Sequence, residues 1–512
     1  MGDAVGALYV GLDCSTQSLA AVVIDSQSRT VVFRDSINFD SELPHFGTVH
    51  GVLPPAAPGV IHAPPLMWKA ALDAMFARIS TCGLELGALR AISGSAQQHG
   101  SVYCGEDPHT LARSTAPIWM DSSTARECNE IGRALGGAQA VADLTGSRPH
   151  ARFSGPQIRK FAREEPAAYA ATARIHLVSS WLASLLIGAH APVDHADASG
   201  MNLMDLRARE WSGAALAATA PGLAVKLPAL VRSDAVIGVL HERWQQLFGV
   251  PAVPVVAWSG DNPCSLVGTG VVHEGQLAIS LGTSDTIFGA MVAPRVSVDG
   301  TGHAFASPTG DYMGITVFRN GSLARELVRN HFGLNWEGFS AALRSTDAGN
   351  GGALMLPWLE PEITPVVPRA LPRSIGLQAA SPGRHVRAIV EAQMLALAIH
   401  SEWMGVTPRT IYATGGAAAN RDILQVMADM FDADVVQSSQ TNSAALGAAI
   451  RAFQADTGVS WQEATDTFLP PVTTRLEPVG KHVAVYEAAR HAYRELEAAA
   501  LDQLTGAAPS DV

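Results

Sequence analysis

One short arrangement occurs twice in this chain, and it constrains the fold more than any other feature. Ala7 to Leu12 is apolar, Asp13-Cys14-Ser15-Thr16-Gln17-Ser18 is a polar loop, and Leu19 to Ile24 is apolar again. Much later Gln276 to Leu281 is apolar, Gly282-Thr283-Ser284-Asp285-Thr286 is a small polar loop, and Ile287 to Val292 is apolar. Each reads as strand, tight loop, strand. Leu89 to Gly94 and Thr410 to Gly415 form a second correspondence, each read as a strand running into a glycine turn. Two related halves follow from this, with a boundary near Val271 that gives domains at 1–271 and 272–512.

The length of 512 residues agrees with more than one domain, since a single hydrophobic core rarely organises so much chain. Hydrophobic residues make up 47% against 16% charged, the balance of a folded globular protein. The net charge of −12 argues against nucleic-acid binding, which needs clustered Lys and Arg to replace counterions. Five scattered cysteines without a C-x-x-C pair suggest neither a disulfide framework nor a zinc site, and a reducing cytoplasm fits them. No apolar run reaches membrane-spanning length, and no signal peptide is read near the amino terminus.

The stretches from Leu43 to Pro65 and from Pro357 to Pro382 read as loops. Ile423, Val426, Met427 and Met430 recur at helical spacing after Gly415-Gly416, which puts that glycine pair between a strand and an amphipathic helix. The stripe of Tyr486, Ala489, Tyr493, Leu496 and Ala500 predicts a closing helix over Val483 to Leu504.

Neither a P-loop nor a protein-kinase glycine-rich loop with its partner motifs occurs. Two facing hairpin loops with exposed N–H groups are another way of cradling phosphates. Asp13 beside them is suited to holding the waters around Mg2+. Each loop taken alone reads more readily as a hairpin turn whose Ser, Thr and Asp satisfy the backbone, and it is the duplication that favours a nucleotide cleft. Val253 to Ala257 reads as a buried strand running into Trp258-Ser259-Gly260-Asp261-Asn262-Pro263. Asp261 then stands either as the cap of the following helix or as a catalytic carboxylate beyond a strand end. Gln98 and His99, together with Trp119-Met120-Asp121 and Arg152-Phe153-Ser154, offer further polar groups.

Asp13-Cys14-Ser15-Thr16, Gln98-His99-Gly100, Gly260-Asp261-Asn262, Gly282-Thr283-Ser284 and Thr414-Gly415-Gly416 occur in the order seen in FGGY carbohydrate kinases, which the chain resembles over nearly its whole length. The strings Ser-Ala-Gln-Gln-His-Gly-Ser-Val-Tyr, Pro-Ile-Trp-Met-Asp-Ser-Ser-Thr and Leu-Thr-Gly-Ser-Arg resemble those members, found also in animals, that act on D-xylulose. The resemblance implies an α/β fold of two actin-like ATPase (ribonuclease H-like) domains with a deep cleft between them. It also implies phosphorylation of the D-xylulose 5-hydroxyl by ATP with Mg2+, and by analogy a homodimer. Asp261 matches the family's general base, and Gln98, His99, Arg152, Asp261 and Asn262 match its sugar side. Asp13, Ser15, Thr16, Gln17, Gly282, Thr283, Ser284, Trp336, Gly415, Gly416 and Asn420 match positions around Mg-ATP, with Asp13 toward the metal. Ser15 departs from the Gly of many members, and Gln157 replaces a signature Lys. A kinase for another ketose or polyol, or a non-catalytic sugar sensor of the same fold, are the competing readings.

Overall fold

A computed structural model describes residues 6–438, 442–470, 472 and 474–506. The first polar loop closes a hairpin between β1 (Leu8–Cys14) and β2 (Ser18–Asp25), and β3 (Thr30–Asn38) continues the meander. After helix α1 (Pro65–Thr81), β4 (Leu89–Ala96) returns parallel to β1, with Asp13 opposite Ser95. Strands β5 (Val236–Val239) and β6 (Pro254–Val256) complete the sheet in the order β5-β6-β4-β1-β2-β3. Central β1 and β4 are buried almost throughout because both their faces are covered.

The second polar loop repeats the plan. It joins β7 (Gln276–Leu281) to β8 (Asp285–Met291), and β9 (Gly302–Ala306) and β10 (Tyr312–Phe318) extend the antiparallel side. Helix α3 (Pro382–Ile399) leads toward β11 (Thr410–Thr414), which lies parallel to β7; helix α4 (Arg421–Phe431) leads to β12 (Asp434–Gln437), parallel to β11. With the short β13 (Arg475–Leu476) at the edge, the order is β9-β10-β8-β7-β11-β12-β13. Three antiparallel strands followed by two parallel ones, β3-β2-β1-β4-β6 and β10-β8-β7-β11-β12, therefore occur twice. That is the duplicated α/β architecture the loops predicted.

Both polar loops are shorter than predicted, because Cys14, Ser18, Asp285 and Thr286 already pair in the ladders. Gly94 is a correction: it lies inside β4 and makes no turn. A Cβ there would fall 2.1 Å from the indole of Trp258, so the glycine is needed for close approach and the chain turns only after Ala96. Gly415 does turn, at φ +85, and a Cβ on it would lie 2.6 Å from the Leu281 carbonyl oxygen. The predicted apolar stripe of α4 is buried, and the closing helix runs Gly480–Gly506 with Tyr486, Tyr493 and Ala500 buried.

The halves are interleaved. Helix α5 (Ser443–Thr457) belongs to the second half of the chain but packs on the first sheet, where Ala445, Leu446, Ala449 and Ile450 meet Tyr9, Val22, Ala91 and Val256. Its buried Arg451 donates to the carbonyls of Ser233 (2.7 Å), Ala257 (2.6 Å) and Gly94 (3.3 Å). On the other side, the Ala304 N–H of β9 donates to Gly146 O (3.0 Å) and that of Ala306 to Ser199 Oγ (3.0 Å). The two sheets are thus joined on both flanks.

Candidate active site

Asp261 is placed by the end of the first sheet. Ser259–Gly260 pairs beside Ser95 and Ala96 of β4, and helix α2 (Asp261–Gly268) begins at once. Gly260 is the N-cap and Asp261 the first helical residue, which corrects the reading of Asp261 as the cap. Its Oδ1 accepts the Asn262 N–H (2.8 Å) and Asn262 Nδ2 (3.1 Å), and Asn262 Nδ2 also donates to Gln98 Oε1 (2.9 Å). Burial, reinforced by the charge of Asp13, pushes the Asp261 carboxyl up from 3.8 to about 7. A carboxylate tuned to neutral pH suits proton transfer in that range.

A cavity of about 490 Å³ opens on Asp261. Gln98, His99, Arg152 and Asn262 line it from the first half, and Ser284 reaches it from the second polar loop. The backbone of His99 is at φ +72. Its Nδ1 lies 2.8 Å from Gly200 O, which can only accept, so Nδ1 carries the proton and Nε2 is left as an acceptor. Its ring stacks on Phe153 at 4.4 Å, and Ser154 Oγ donates to the His99 carbonyl (2.8 Å). Burial, then the Arg152 charge, hold His99 down to about 3, so it is neutral. No carboxylate pairs with Arg152 among the described residues. The pocket therefore offers an acceptor, a carboxylate, an amide pair and a cation, a set able to orient several hydroxyl groups.

A larger cavity of about 840 Å³ lies across the second loop, lined by Gly282, Thr283, Trp336, Gly416 and Asn420 among others. A Cβ added to Gly416 would meet no protein atom within 4 Å. Asn420 also has a local task, capping α4 by accepting the Asp422 (3.0 Å) and Ile423 (3.3 Å) N–H groups. Trp336 is half-exposed, with the Arg329 guanidinium 4.4 Å from its ring centroid. Among the described residues, no acceptor within the protein takes the N–H of Thr283 or Ser284.

Asp13, Ser15, Thr16, Gln17 and Gly415 line neither cavity. Asp13 lies at the end of β1, where its Oδ1 is shielded from solvent without a hydrogen-bond partner. Burial pushes its carboxyl up to about 6. An orphaned hard oxygen of this kind fits the outer sphere of Mg2+, which keeps most of its waters and takes few protein carboxylates. No cluster of three metal-binding side chains occurs among the described residues. Ser15 Oγ donates to Ser18 O (3.0 Å), which closes the first turn without glycine. Thr16 Oγ1 accepts from Trp119 Nε1 (2.9 Å), linking the first loop to the smaller cavity that Trp119 lines, while Gln17 is exposed. Gln157 is buried and donates to Ala151 O (3.1 Å), and Asp121 accepts the N–H groups of Ile61 and Ser123, so both are structural.

Sequence reasoning missed Ser265 and Thr269, which line the smaller cavity from α2 and its C-cap and stand four residues apart after Asp261, a spacing that was visible. It also missed Arg325, whose contribution to the larger cavity depends on a partner far along the chain.

The N-terminal domain of the FGGY family of carbohydrate kinases matches residues 8–268, and the family's C-terminal domain matches residues 277–455. A xylulose kinase of Rattus norvegicus is 40% identical over 97% of this chain and 98% of its own. Xylulose kinase 2 of Arabidopsis thaliana is 40% identical over 87% of this chain and 86% of its own. A crystal structure titled as a xyloylose kinase from Brucella ovis superposes with a TM-score of 0.82 at 25% identity, covering 97% of this chain and all of that one. With both family domains matched in order along the repeated fold, the chain belongs to the FGGY carbohydrate kinases.

Proposed function

We propose that this protein transfers the terminal phosphoryl group of Mg-ATP to the 5-hydroxyl of D-xylulose, giving D-xylulose 5-phosphate and ADP. The observation that carries the reading is that Asp261 and Ser284 line one cavity, which puts a carboxylate suited to neutral pH and the end of a phosphate loop on the same small space. The xylulose kinases among the relatives supply the choice of sugar.

Phosphoryl transfer asks a protein mainly for alignment, charge neutralisation and a proton acceptor. Asp261 takes the proton of the attacking hydroxyl as the oxygen–phosphorus bond forms and the bond to ADP breaks. His99, Arg152, Gln98 and Asn262 orient the sugar. The N–H groups of Thr283 and Ser284 stabilise charge on the transferring group. Trp336, Gly416 and Asn420 hold the adenosine end, with Gly415 setting the turn. Ser15, Thr16 and Gln17 face the phosphates from the first loop. Asp13 would hold Mg2+ through the ion's waters, and the bound ion would supply neutralisation of the phosphate charge.

No helix among the described residues is long and apolar enough to cross a membrane. We place the reaction in the cytoplasm because all five cysteines are free, and the assembly as a homodimer by analogy. A single-turnover assay with labelled ATP and a panel of ketopentoses, ketohexoses and polyols tests the assignment. D-xylulose should be labelled fastest. A faster ketose or polyol would move the substrate, and no transfer to any sugar would refute a kinase.

A further inference from the structure

The second phosphate loop is held by a buried ion-pair cluster, and among the described residues no ion pair backs the first. Asp285, the residue directly after the loop, accepts both terminal nitrogens of Arg325: Nη1 at 2.9 Å and Nη2 at 3.1 Å. Both side chains are essentially inaccessible to solvent, at 2% and 0%. Arg325 Nη1 also donates to Gln393 Oε1 (2.8 Å) from α3, and Gln393 Nε2 donates to the carbonyls of Asn320 (2.6 Å) and Gly321 (2.8 Å). Asn320 is fixed in turn by Glu362, which accepts its N–H (3.0 Å) and its Nδ2 (2.8 Å).

The segment held in this way is the one the loop leans on. Ser322 N–H donates to Gly282 O (2.8 Å), and a Cβ on Gly321 would lie 2.6 Å from Thr283 O, 2.7 Å from Gly282 O and 2.8 Å from Asp285 Oδ1. The Gly282 and Thr283 carbonyls are therefore turned toward residues 321–322, and Ser322 lines the same cavity as Gly282 and Thr283. A buried bidentate ion pair has steep geometric preferences and a high desolvation cost, which Gln393 offsets only in part, since Arg325 Nε has no hydrogen-bond partner among the described residues. Such a cluster is poorly suited to mere stability, since apolar packing would serve that end as well. It is well suited to fixing one loop orientation before the nucleotide arrives.

We propose that Asp285, Arg325 and Gln393 are positioning residues for phosphoryl transfer, presetting the Gly282–Ser284 loop so that its N–H groups face the nucleotide phosphates. The assignment rests on the ATP-dependent reaction proposed above. It is tested in the full-length protein with Asp285→Asn, which leaves Arg325 without its countercharge, and with Gln393→Met, which removes the link to residues 320–321 and strands no charge. ATP affinity by direct titration, D-xylulose affinity, kcat and the thermal midpoint are read for each. Gln393→Met should bind ATP about tenfold more weakly and lose about tenfold in kcat, with D-xylulose affinity within about twofold of the parent and a midpoint shift of only a few degrees. Asp285→Asn should show the same split more strongly. Unchanged ATP affinity and kcat in folded Gln393→Met would overturn the proposal, as would an equal loss of sugar affinity, or failure of both variants to fold. A parent protein that binds ATP but transfers nothing to D-xylulose would refute the proposed reaction instead, and the titration of ATP into the variants would still judge the loop.

Discussion

Replacing Asp261 with Asn should make the protein more stable at neutral pH while nearly abolishing turnover, and the two effects have one cause. The Asp261 carboxyl is raised from 3.8 to about 7, mainly by burial and secondarily by Asp13. Its folded-state pKa lies above its unfolded one, so its contribution to stability is fully present below about 3.8 and is lost as pH rises through about 7. At a factor of ten per pH unit, the cost of the carboxylate at neutral pH is at most about 4 kcal/mol. Water entering the cavity lowers that figure, and we expect a gain of about 1–2 kcal/mol for Asp261→Asn at pH 7.5, shrinking toward zero near pH 4. The amide oxygen still accepts the Asn262 N–H, so the start of α2 is retained. It cannot take a proton, and kcat should fall on the order of a hundredfold to ten-thousandfold with ATP affinity kept. Denaturant titrations at pH 4, 6 and 7.5 alongside steady-state rates supply both readings. A variant that phosphorylates D-xylulose within a few-fold of the parent would show that Asp261 is not the base. One less stable than the parent at pH 7.5 would show that the carboxylate is needed for the fold and would refute the burial argument.

For the parent, kcat/KM should fall as pH drops through about 7, the region where burial places Asp261. Because Asp13's charge helps to raise Asp261, Asp13→Asn should move that acid limb to lower pH on whatever activity remains, and an unmoved limb would deny the coupling. Gly415 and Gly416 should separate folding from binding. Gly415→Ala sets a Cβ 2.6 Å from Leu281 O at positive φ and should destabilise the protein, whereas Gly416→Val extends only into the larger cavity and should weaken ATP far more than sugar. Equal loss of both ligands in Gly416→Val would point to a folding defect. Trp336→Ala should weaken ATP by roughly tenfold with sugar affinity unchanged, measured by calorimetric titration; no effect on ATP would remove Trp336 from the nucleotide site.

Much of this was legible in the chain because it is written locally. Alternating or continuous apolar runs, tight polar turns and helical spacing are properties of a few adjacent residues, so the two hairpins, the strand before Gly415, helix α4 and the closing helix could be read from them. The order of motifs carried the family and with it the candidate site, and the repeat carried the duplicated sheet. What the tertiary structure alone decided is where residues distant in sequence meet. Gly94 reads as a turn until Trp258 is seen lying across its strand. Helix α5 reads as part of the second half until it is found covering the first sheet. Asp13 and Asp261 are ordinary carboxylates in sequence, and only burial in the fold raises both toward neutral pH, with the Asp13 charge adding to the rise at Asp261. Arg325 is one more charged residue on an amphipathic helix until Asp285 and Gln393 close around it. Periodicity and turn chemistry are short-range, whereas desolvation, charge coupling and close approach depend on the packed fold, so the chain alone gives the parts of the site and the fold gives them their energies.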